Sequence, residues 1–571
     1  MKYFLFGLLL FVCFKNNAQS RWKGNTTPTY NELINELKKI DKQHKDISLF
    51  NMGLSDYGLP LYLFIVNSEK DSLKTFQKAK EKTCLLVNNA IHPGEPDGVN
   101  AMLIWVEEWI ASGKPKENMP VVAFIPAYNV GGMINRSKNS RANQNGPEEY
   151  GFRGNARNLD LNRDFIKMDS DNSFIFSKIF HELNPDIFID NHVSNGADYS
   201  YTLTCISSVQ QRINAELSNF EKEKFQPFLS SKLKSKDWTL YPYVELKGDT
   251  PEKGIIAFND LPRYSMGYTS LFNTLSFTVE THMLKPFPER VIATKDFMES
   301  VLDFMKIEGT NLKTLRINAN QNTKNLKWFK FNYKLSNFND SIDFQGYAHS
   351  HPIHPVTGLP RLYYDKSKPI NIKIAHYNHY VAQDSIQVPK YYIVGFQEKA
   401  TRERLRANKI NFIEVQKDTN LLVTTTIISE FKSTSKPYEG HFRHSNIQLK
   451  KQERIILIKK GDWIIPTAQD GGSYLHSVLQ PRAEDSFFSW NFYDSYLQQK
   501  EYFSNYVFID LAEEILQNDP QLRANFELKK MNDKHFKDSE WEQLYYIYVN
   551  SPYFEQTFNR LPIYEWNGTW K

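Results

Sequence analysis

The segment Cys84-Leu-Leu-Val-Asn-Asn-Ala-Ile-His92-Pro-Gly-Glu95 decides how the first half of the chain is interpreted. It is an apolar run of strand length that ends in a histidine, with a glutamate three residues further on. An imidazole and a carboxylate at this spacing can bind one divalent ion from a turn between a strand and a helix. Because the H-x-x-E pattern also arises by chance, its weight depends on the rest of the chain.

Two later segments end in the same way. Asp186-Ile-Phe-Ile-Asp-Asn-His192 is a short apolar strand that ends in a histidine, and Leu275-Ser-Phe-Thr-Val-Glu280 is another that ends in a glutamate. In open α/β sheets, ligands bind beyond the carboxyl ends of the strands. If the three strands are neighbours, four metal-compatible side chains meet at one edge of the sheet.

Two histidines and one glutamate form a zinc ligand set that leaves a fourth position for water, whose pKa then falls to about 7. A further carboxylate that does not bind the metal could accept the water proton and pass it to a leaving amine. Glu280 fits that role better than Glu95, which its spacing ties to His92. Taken singly, each residue also fits a simpler role, as a hydrogen-bonded histidine or a surface carboxylate. Those roles do not explain why several ionisable groups all end apolar runs.

An arginine-rich segment separates these residues. Arginine binds carboxylates through a bidentate fork and stabilises developing oxyanions. By composition alone the segment is also compatible with a solvated basic loop, but long loops in compact domains tend to be functional. The segment contains Arg136, Arg141, Arg153, Arg157 and Arg163.

In their order along the chain, His92-x-x-Glu95, Leu161-Asn-Arg-Asp-Phe165, His192 and Thr278-Val-Glu280 resemble the signature of the zinc carboxypeptidases of the carboxypeptidase A/B type. The resemblance covers about residues 30–305, roughly half of the chain. It implies that His92, Glu95 and His192 bind one Zn²⁺ ion. It also implies that Glu280 is the general base and acid.

The same resemblance implies several contacts with the substrate. Asn162 and Arg163 match the pair that binds the terminal carboxylate of the substrate. Arg141 best matches the arginine that polarises the scissile carbonyl, although Arg136 and Arg157 lie close in the sequence.

The mobile tyrosine of the family corresponds to Tyr264, with Tyr268 as the alternative. No aspartate stands in a clear position to bind a basic side chain, so the preferred side chain of the substrate stays open.

The function that follows is that of a secreted zinc metallocarboxypeptidase acting on peptides with a free C-terminal carboxylate. One alternative is a zinc amidase or peptidase that acts on cell-wall peptides or acylated amino compounds. Another is an exported binding protein without catalytic activity.

Composition describes a globular chain. Its 571 residues exceed one ordinary domain core, and 41% hydrophobic with 24% charged residues argues against disorder. A net charge of +5 without a dense basic run gives little reason to expect a nucleic acid as partner. No run after the N-terminus approaches transmembrane length. Cys84 and Cys205 lie in apolar, strand-like runs and are expected to be buried free thiols.

The N-terminus has the pattern of a secretory signal. Lys2 is followed by the apolar run Tyr3–Phe14 and by Asn16-Asn-Ala18 before a cleavage site. Residues 1–19 are therefore a predicted signal peptide, and the mature protein is predicted to be secreted or periplasmic. Leu10-Phe-Val-Cys13 is a poor lipoprotein site, because Val12 is bulkier than the small residue usually needed there.

The order of predicted elements indicates an α/β domain at residues 20–308, with a mixed central sheet and helices on both faces. A last helix at about Pro288–Lys306 closes it, and the polar segment Glu308–Asn325 lacks clear periodicity and predicts a boundary. Residues 326–571 form a predicted accessory region, β-rich at 326–460 and helical at 473–571. The predicted strands of the first domain are Leu61–Val66, Thr83–Ile91, Pro120–Pro126, Asp186–Asn191, Tyr199–Ile206 and Leu275–Thr281.

Two further clusters have competing interpretations. His349-Ser-His351 could share one face of a strand and bind a metal, but without an acidic partner nearby a surface turn is favoured. Phe487-Phe-Ser-Trp-Asn-Phe-Tyr493 could stack on a sugar, but large aromatic side chains more often fill cores.

Overall fold

The computed structural model of the protein describes residues 20–113 and 118–570. The predicted signal peptide, residues 1–19, lies outside the described residues. The helices are α1 (Tyr30–Gln43), α2 (Ser72–Glu81), α3 (Asp97–Ser112), α4 (Val130–Ile134), α5 (Asp171–Leu183), α6 (Ala215–Phe220), α7 (Gln226–Lys234), α8 (Ser265–Ser270), α9 (Phe287–Lys324), α10 (Lys399–Ala407), α11 (Gly472–Leu479), α12 (Asn505–Asn518), α13 (Pro520–Asn532), α14 (Lys534–Lys537) and α15 (Glu540–Val549).

The strands alternate with helices over the first half of the chain and then dominate up to residue 466. They are β1 (Ile47–Leu54), β2 (Pro60–Val66), β3 (Cys84–Asn88), β4 (Val121–Ile125), β5 (Ile187–Ser194), β6 (Leu203–Ser207), β7 (Leu240–Pro242), β8 (Glu245–Leu246), β9 (Ile255–Ile256), β10 (Leu275–His282), β11 (Trp328–Leu335), β12 (Asp340–Ser350), β13 (Tyr363–Tyr377), β14 (Tyr380–Gln387), β15 (Tyr391–Val394), β16 (Ile413–Glu414), β17 (Thr419–Ser433), β18 (His444–Ile458), β19 (Trp463–Pro466) and β20 (Arg560–Trp566).

The largest sheet among the described residues has eight strands in the order β1-β2-β4-β3-β5-β10-β6-β7. Its centre is parallel, because β3 pairs with β4 and β5, and β5 pairs with β10, all in the same direction. β2 and β6 join this centre antiparallel. The sheet is therefore mixed, as the sequence predicts.

Both faces of this sheet are buried. Successive side chains of a strand point to opposite faces, so Leu85 and Val87 belong to one core and Cys84 and Leu86 to another. The first core includes buried side chains of α1, α3 and α9. The second includes α5 and side chains of the C-terminal region, among them Trp463. The predicted helices on both faces are confirmed, and one of the two cores is shared with the C-terminal region.

The two cysteines of the described residues form no disulfide. Cys84 is a buried free thiol, as predicted, whereas Cys205 is free and partly buried.

The segment Glu308–Asn325 is not a linker, because α9 continues through it without a break from Phe287 to Lys324. The predicted end near Lys306 is wrong for a physical reason. The buried positions of these turns, Leu312, Arg316, Ala319 and Thr323, do recur at helical spacing, but two of them are polar. Arg316 donates from Nη1 to Asp186 Oδ1 at 2.7 Å and from Nε to the carbonyl of Asn273 at 2.9 Å.

The C-terminal region is β-rich first and helical afterwards, as predicted. A six-stranded sheet runs in the order β16-β19-β15-β20-β17-β18, so the late strand β20 returns into it from the helical part. Helices α12–α15 share a core of their own around Phe508, Phe536 and Tyr548. The aromatic run at Phe487–Tyr493 packs into the core, with Trp490 fully buried. Within residues 20–113 and 118–570, no helix combines the length and the apolar character needed to cross a bilayer.

We expect Arg316→Met to lower the free energy of unfolding by about 3 kcal/mol, because it leaves the carboxylate of Asp186 in a buried site without its closest charge partner. Urea denaturation followed by tryptophan fluorescence measures the change. The control is Lys306→Ala, which removes a solvent-exposed ion pair with Asp303 and should change stability by less than about 1 kcal/mol. Equal effects of the two substitutions would contradict the role assigned to Arg316.

Candidate metal centre

The carboxyl ends of three neighbouring strands meet at one edge of the central sheet. β3, β5 and β10 lie side by side and parallel, and the register of β10 on β5 places Glu280 directly beside His192. His92 follows the end of β3 in a turn that the N–H of Glu95 closes by donating to the carbonyl of His92 at 2.8 Å. α3 begins two residues later at Asp97. The arrangement expected from the strand-end pattern is present.

His92, Glu95 and His192 form a compact buried cluster. One potential ligand atom from each residue lies within 4.8 Å of the other two. His92 Nδ1 is 3.4 Å and His192 Nδ1 is 3.0 Å from Glu95 Oε2. His92 Nδ1 is buried and has no hydrogen-bond partner among the described residues. Two imidazole nitrogens and a carboxylate that face one another are the donor set of a three-ligand zinc site, so these residues fit one such ion.

The outer nitrogens of both imidazole rings face carboxylates, of which that of Asp190 is buried and that of Asp160 is partly buried. His92 Nε2 lies 2.9 Å from Asp160 Oδ1, and His192 Nε2 lies 3.2 Å from Asp190 Oδ2. Such contacts fix the orientation and tautomer of a ligating histidine. Neither aspartate was singled out from the sequence. Their signal is positional, because Asp190 stands two residues before His192 on its strand and Asp160 two residues before Asn162.

The pKa values of Glu95 and Glu280 are shifted in opposite directions. Burial raises the pKa of Glu95, but the charges of Arg141 and His92 outweigh it, so the net pKa is well below the usual range. Burial raises the pKa of Glu280 to about 8, with the charge of His192 acting in the opposite direction. The net shift is therefore downward for Glu95 and upward for Glu280.

Glu280 lines a cleft of about 440 Å³ whose wall also includes the three clustered residues. Its Oε2 atom is buried and has no hydrogen-bond partner among the described residues. The side chain therefore lies next to the cluster without forming part of it.

The candidate arginines separate into two groups. In the first group, Nη1 of Arg141 donates to Glu95 Oε1 at 2.6 Å, and Nη1 of Arg153 donates to the same oxygen at 3.5 Å. Both side chains line the cleft. Arg136 instead donates to backbone carbonyls, including that of Pro28. Arg157 donates to the carbonyl of Asp169. The structure thus brings Arg141 to the cluster and adds Arg153, to which the sequence assigned no role.

Asn162 and Arg163 lie in the wall of the same cleft. Asn162 Nδ2 is 3.5 Å from His192 Nε2, and its Oδ1 accepts the N–H of Ser265 at 3.1 Å. Arg163 Nη1 donates to the carbonyl of Asn162 at 2.8 Å. The guanidinium of Arg163 lies over the ring of Tyr264, 4.6 Å from its centroid.

The tyrosines near the cleft differ from the sequence expectation in one respect. Tyr264, the residue matched to the mobile tyrosine, lines the cleft. The alternative, Tyr268, is buried in the core and its hydroxyl donates to Asn408. Tyr243, which the sequence did not single out, also lines the cleft, and burial raises its pKa.

His349 and His351 depart from the sequence expectation, because His349 lies on β12 rather than in a turn and has an acidic neighbour. The rings of His349 and His351 lie 5.8 Å apart, and His349 Nε2 is 3.1 Å from Glu252 Oε1. Within the part of the chain that the structure describes, His92, Glu95 and His192 are the one group of three or more His, Cys, Asp or Glu with ligand atoms this close.

The chain is similar over about half its length to solved metallocarboxypeptidases. Carboxypeptidase A from Helicoverpa armigera is 12% identical with a TM-score of 0.38, covering 50% of this chain and 75% of that one. The metallo-carboxypeptidase from Burkholderia cenocepacia is 15% identical with a TM-score of 0.36, covering 47% and 67%. That from Pseudomonas aeruginosa, solved with (2-guanidinoethylmercapto)succinic acid, is 14% identical with a TM-score of 0.35, covering 49% and 68%. No protein-family model and no curated protein matches the sequence.

We expect Asp160→Asn to weaken zinc binding by roughly 10- to 100-fold, because the outer nitrogen of His92 loses its anionic partner. Competition with a chromogenic chelator measures the affinity. Asp462→Asn is the matched control, since this buried aspartate accepts the N–H groups of Phe396 and Lys459 in the C-terminal region. Unchanged zinc affinity in Asp160→Asn would contradict the assigned orienting role.

Proposed function

We propose that the protein is a secreted zinc-dependent metallocarboxypeptidase that removes C-terminal residues from peptides. The observation that carries the proposal is the meeting of His92, Glu95 and His192 within 4.8 Å, with Glu280 beside them in strand register. The order of these residues along the chain, together with Asn162-Arg163, supports the same conclusion. Export is proposed from residues 1–19, which have the pattern of a signal peptide.

His92 Nδ1, His192 Nδ1 and the carboxylate of Glu95 would hold the zinc ion. The chemistry that zinc supplies when bound is Lewis acidity, which lowers the pKa of water to about 7 and polarises a carbonyl group. Asp160 and Asp190 keep the two rings turned so that the Nδ1 atoms face each other across Glu95.

Glu280 is the proposed proton carrier. Its unpartnered Oε2 accepts the proton of the attacking water and then donates it to the nitrogen of the leaving amine. A carboxylate bound to the metal could not do this as readily, which is why Glu280 rather than Glu95 takes the role. Burial raises the pKa of Glu280, which favours the protonated form that donates to the leaving amine.

Cationic side chains surround the position of the reacting carbonyl. Arg141 is the proposed oxyanion partner, with Arg153 as the neighbouring candidate, because both guanidinium groups reach Glu95 from the wall of the cleft. Asn162 and Arg163 are proposed to bind the terminal carboxylate of the peptide, and Tyr264 to border that site.

The test is a mass-spectrometric screen of peptides with free and with amidated C-termini, with and without a chelator. We expect removal of single C-terminal residues from the free acids only, and loss of that activity with the chelator. Equal cleavage of amidated peptides would favour a zinc amidase or peptidase of another specificity. Absence of stoichiometric zinc would favour a binding protein.

We expect Glu280→Gln to retain zinc and fold but to lower kcat by about 10²- to 10⁴-fold, because the amide cannot accept the water proton. Steady-state kinetics on the best peptide of the screen and metal analysis of the same sample measure both effects. Glu252→Gln, at the surface contact with His349, is the control and should retain the wild-type rate. A wild-type rate in Glu280→Gln would refute the role of the general base.

A further inference from the structure

A loop of the C-terminal region reaches the proposed carboxylate site. Residues 434–443 connect β17 and β18, and at their tip Tyr438 Oη accepts a hydrogen bond from Arg163 Nε at 3.0 Å. The next residue, Glu439, accepts the N–H of Asp160 on Oε2 at 2.8 Å. The loop therefore contacts Arg163 and also Asp160, the aspartate that faces His92.

The tip of this loop is held from several sides. The N–H of Tyr438 donates to the carbonyl of His441 at 2.8 Å, and the reverse bond is 3.1 Å long. His441 Nε2 lies 2.7 Å from Asp169 Oδ2, and its Nδ1 lies 2.6 Å from Asn491 Oδ1. The ring of Tyr438 stacks on the buried Trp490 at a centroid distance of 6.1 Å and an angle of 21°. The hydroxyl of Tyr438 is thus presented to Arg163 by a fixed backbone and a fixed ring.

The guanidinium of Arg163 has four partners. Asp160 Oδ2 lies 3.8 Å from Nη1. Tyr438 engages Nε, the carbonyl of Asn162 engages Nη1, and the ring of Tyr264 covers one face. A guanidinium binds a carboxylate well only when its planar fork points at the carboxylate oxygens. Restraining Nε and Nη1 determines the direction of the remaining N–H groups.

We propose that Tyr438 is a positioning residue that orients Arg163 to bind the terminal carboxylate of the substrate. The C-terminal region then contributes directly to substrate recognition. This inference rests on the proposed function, since it assigns Arg163 the task of binding a carboxylate.

The competing explanation is that the contact merely joins two parts of the chain. In that case the loss of the hydroxyl lowers stability without changing the preference for a carboxylate. The two explanations predict different values for one quantity, the ratio of the affinity for an acid to the affinity for its amide. A change in stability alone does not alter this ratio.

The first experiment compares Tyr438→Phe with the wild-type full-length protein in the presence of zinc. Calorimetry measures the binding of N-acetylphenylalanine and of its primary amide. We expect Tyr438→Phe to weaken binding of the acid by about three- to ten-fold, the size of an ordinary hydrogen-bond contribution, and to leave binding of the amide unchanged. Where peptide hydrolysis is measurable, KM for the free acid should rise by the same factor while kcat changes by less than two-fold.

The matched control is Tyr392→Phe. The hydroxyl of Tyr392 is buried in the C-terminal region, where it lies 3.0 Å from His476 Nδ1 and accepts a hydrogen bond from Gln480 Nε2 at 2.7 Å. The Tyr392→Phe substitution should lower the thermal unfolding temperature without altering the ratio of acid to amide affinity. An unchanged ratio in Tyr438→Phe, or a change equal to that in Tyr392→Phe, would overturn the inference.

A double-mutant cycle tests whether the effect passes through Arg163. In an Arg163→Lys background, which lacks the Nε donor, adding Tyr438→Phe should change acid binding by less than two-fold. Additive effects of the two substitutions would overturn the inference. A wild-type protein that prefers the acid but hydrolyses no peptide would refute the proposed function alone, whereas one without any preference for the acid would overturn the positioning role of Tyr438.

Discussion

The parallel pairing of β3, β5 and β10 is the constraint on which the candidate centre depends. Parallel neighbours end at the same edge, so a histidine after β3, a histidine on β5 and a glutamate on β10 are brought together although they are far apart in the chain. The register matters as much as the direction. A shift of one residue between β5 and β10 would turn Glu280 to the opposite face of the sheet and remove it from the cleft. Helices packed on both faces, and a core shared with the C-terminal region, hold that register.

Glu95 is the electrostatic centre of the arrangement. Its carboxylate faces both histidines, receives Arg141, and accepts the N–H of Val193 at 3.0 Å. An isolated buried carboxylate would take up a proton, and only this number of donors and cations keeps it ionised. Gly94 leaves room for Arg141, because a Cβ at this position would lie 2.7 Å from Arg141 Cδ. Arg141 can therefore approach the anion closely.

The features that could be predicted from the sequence are those that depend on short segments. The residues that end apolar runs, such as His192 and Glu280, could be placed at one edge of a sheet because strands follow simple rules. What it missed depends on long-range partners. Asp160 becomes informative only when its distance to His92 is known, and Tyr438 only when a loop from another part of the chain is folded against Arg163. The break expected at Glu308–Asn325 was wrong for a related reason. Buried polar positions such as Arg316 follow the helical period, but their partners lie far away in the sequence, so an apolar pattern does not reveal them.

The uninterrupted course of α9 has a consequence for how the gene can change. The helix belongs to the core of the central sheet in its first turns and leads directly into β11 at its end. A chain cut at residue 308 would lose the final turns of that helix, along with Trp463 and Tyr474 from the core they share with Phe188 and Tyr268. The two halves are thus not cassettes that recombination can exchange freely. Separating them would expose apolar side chains from both halves that the shared core buries.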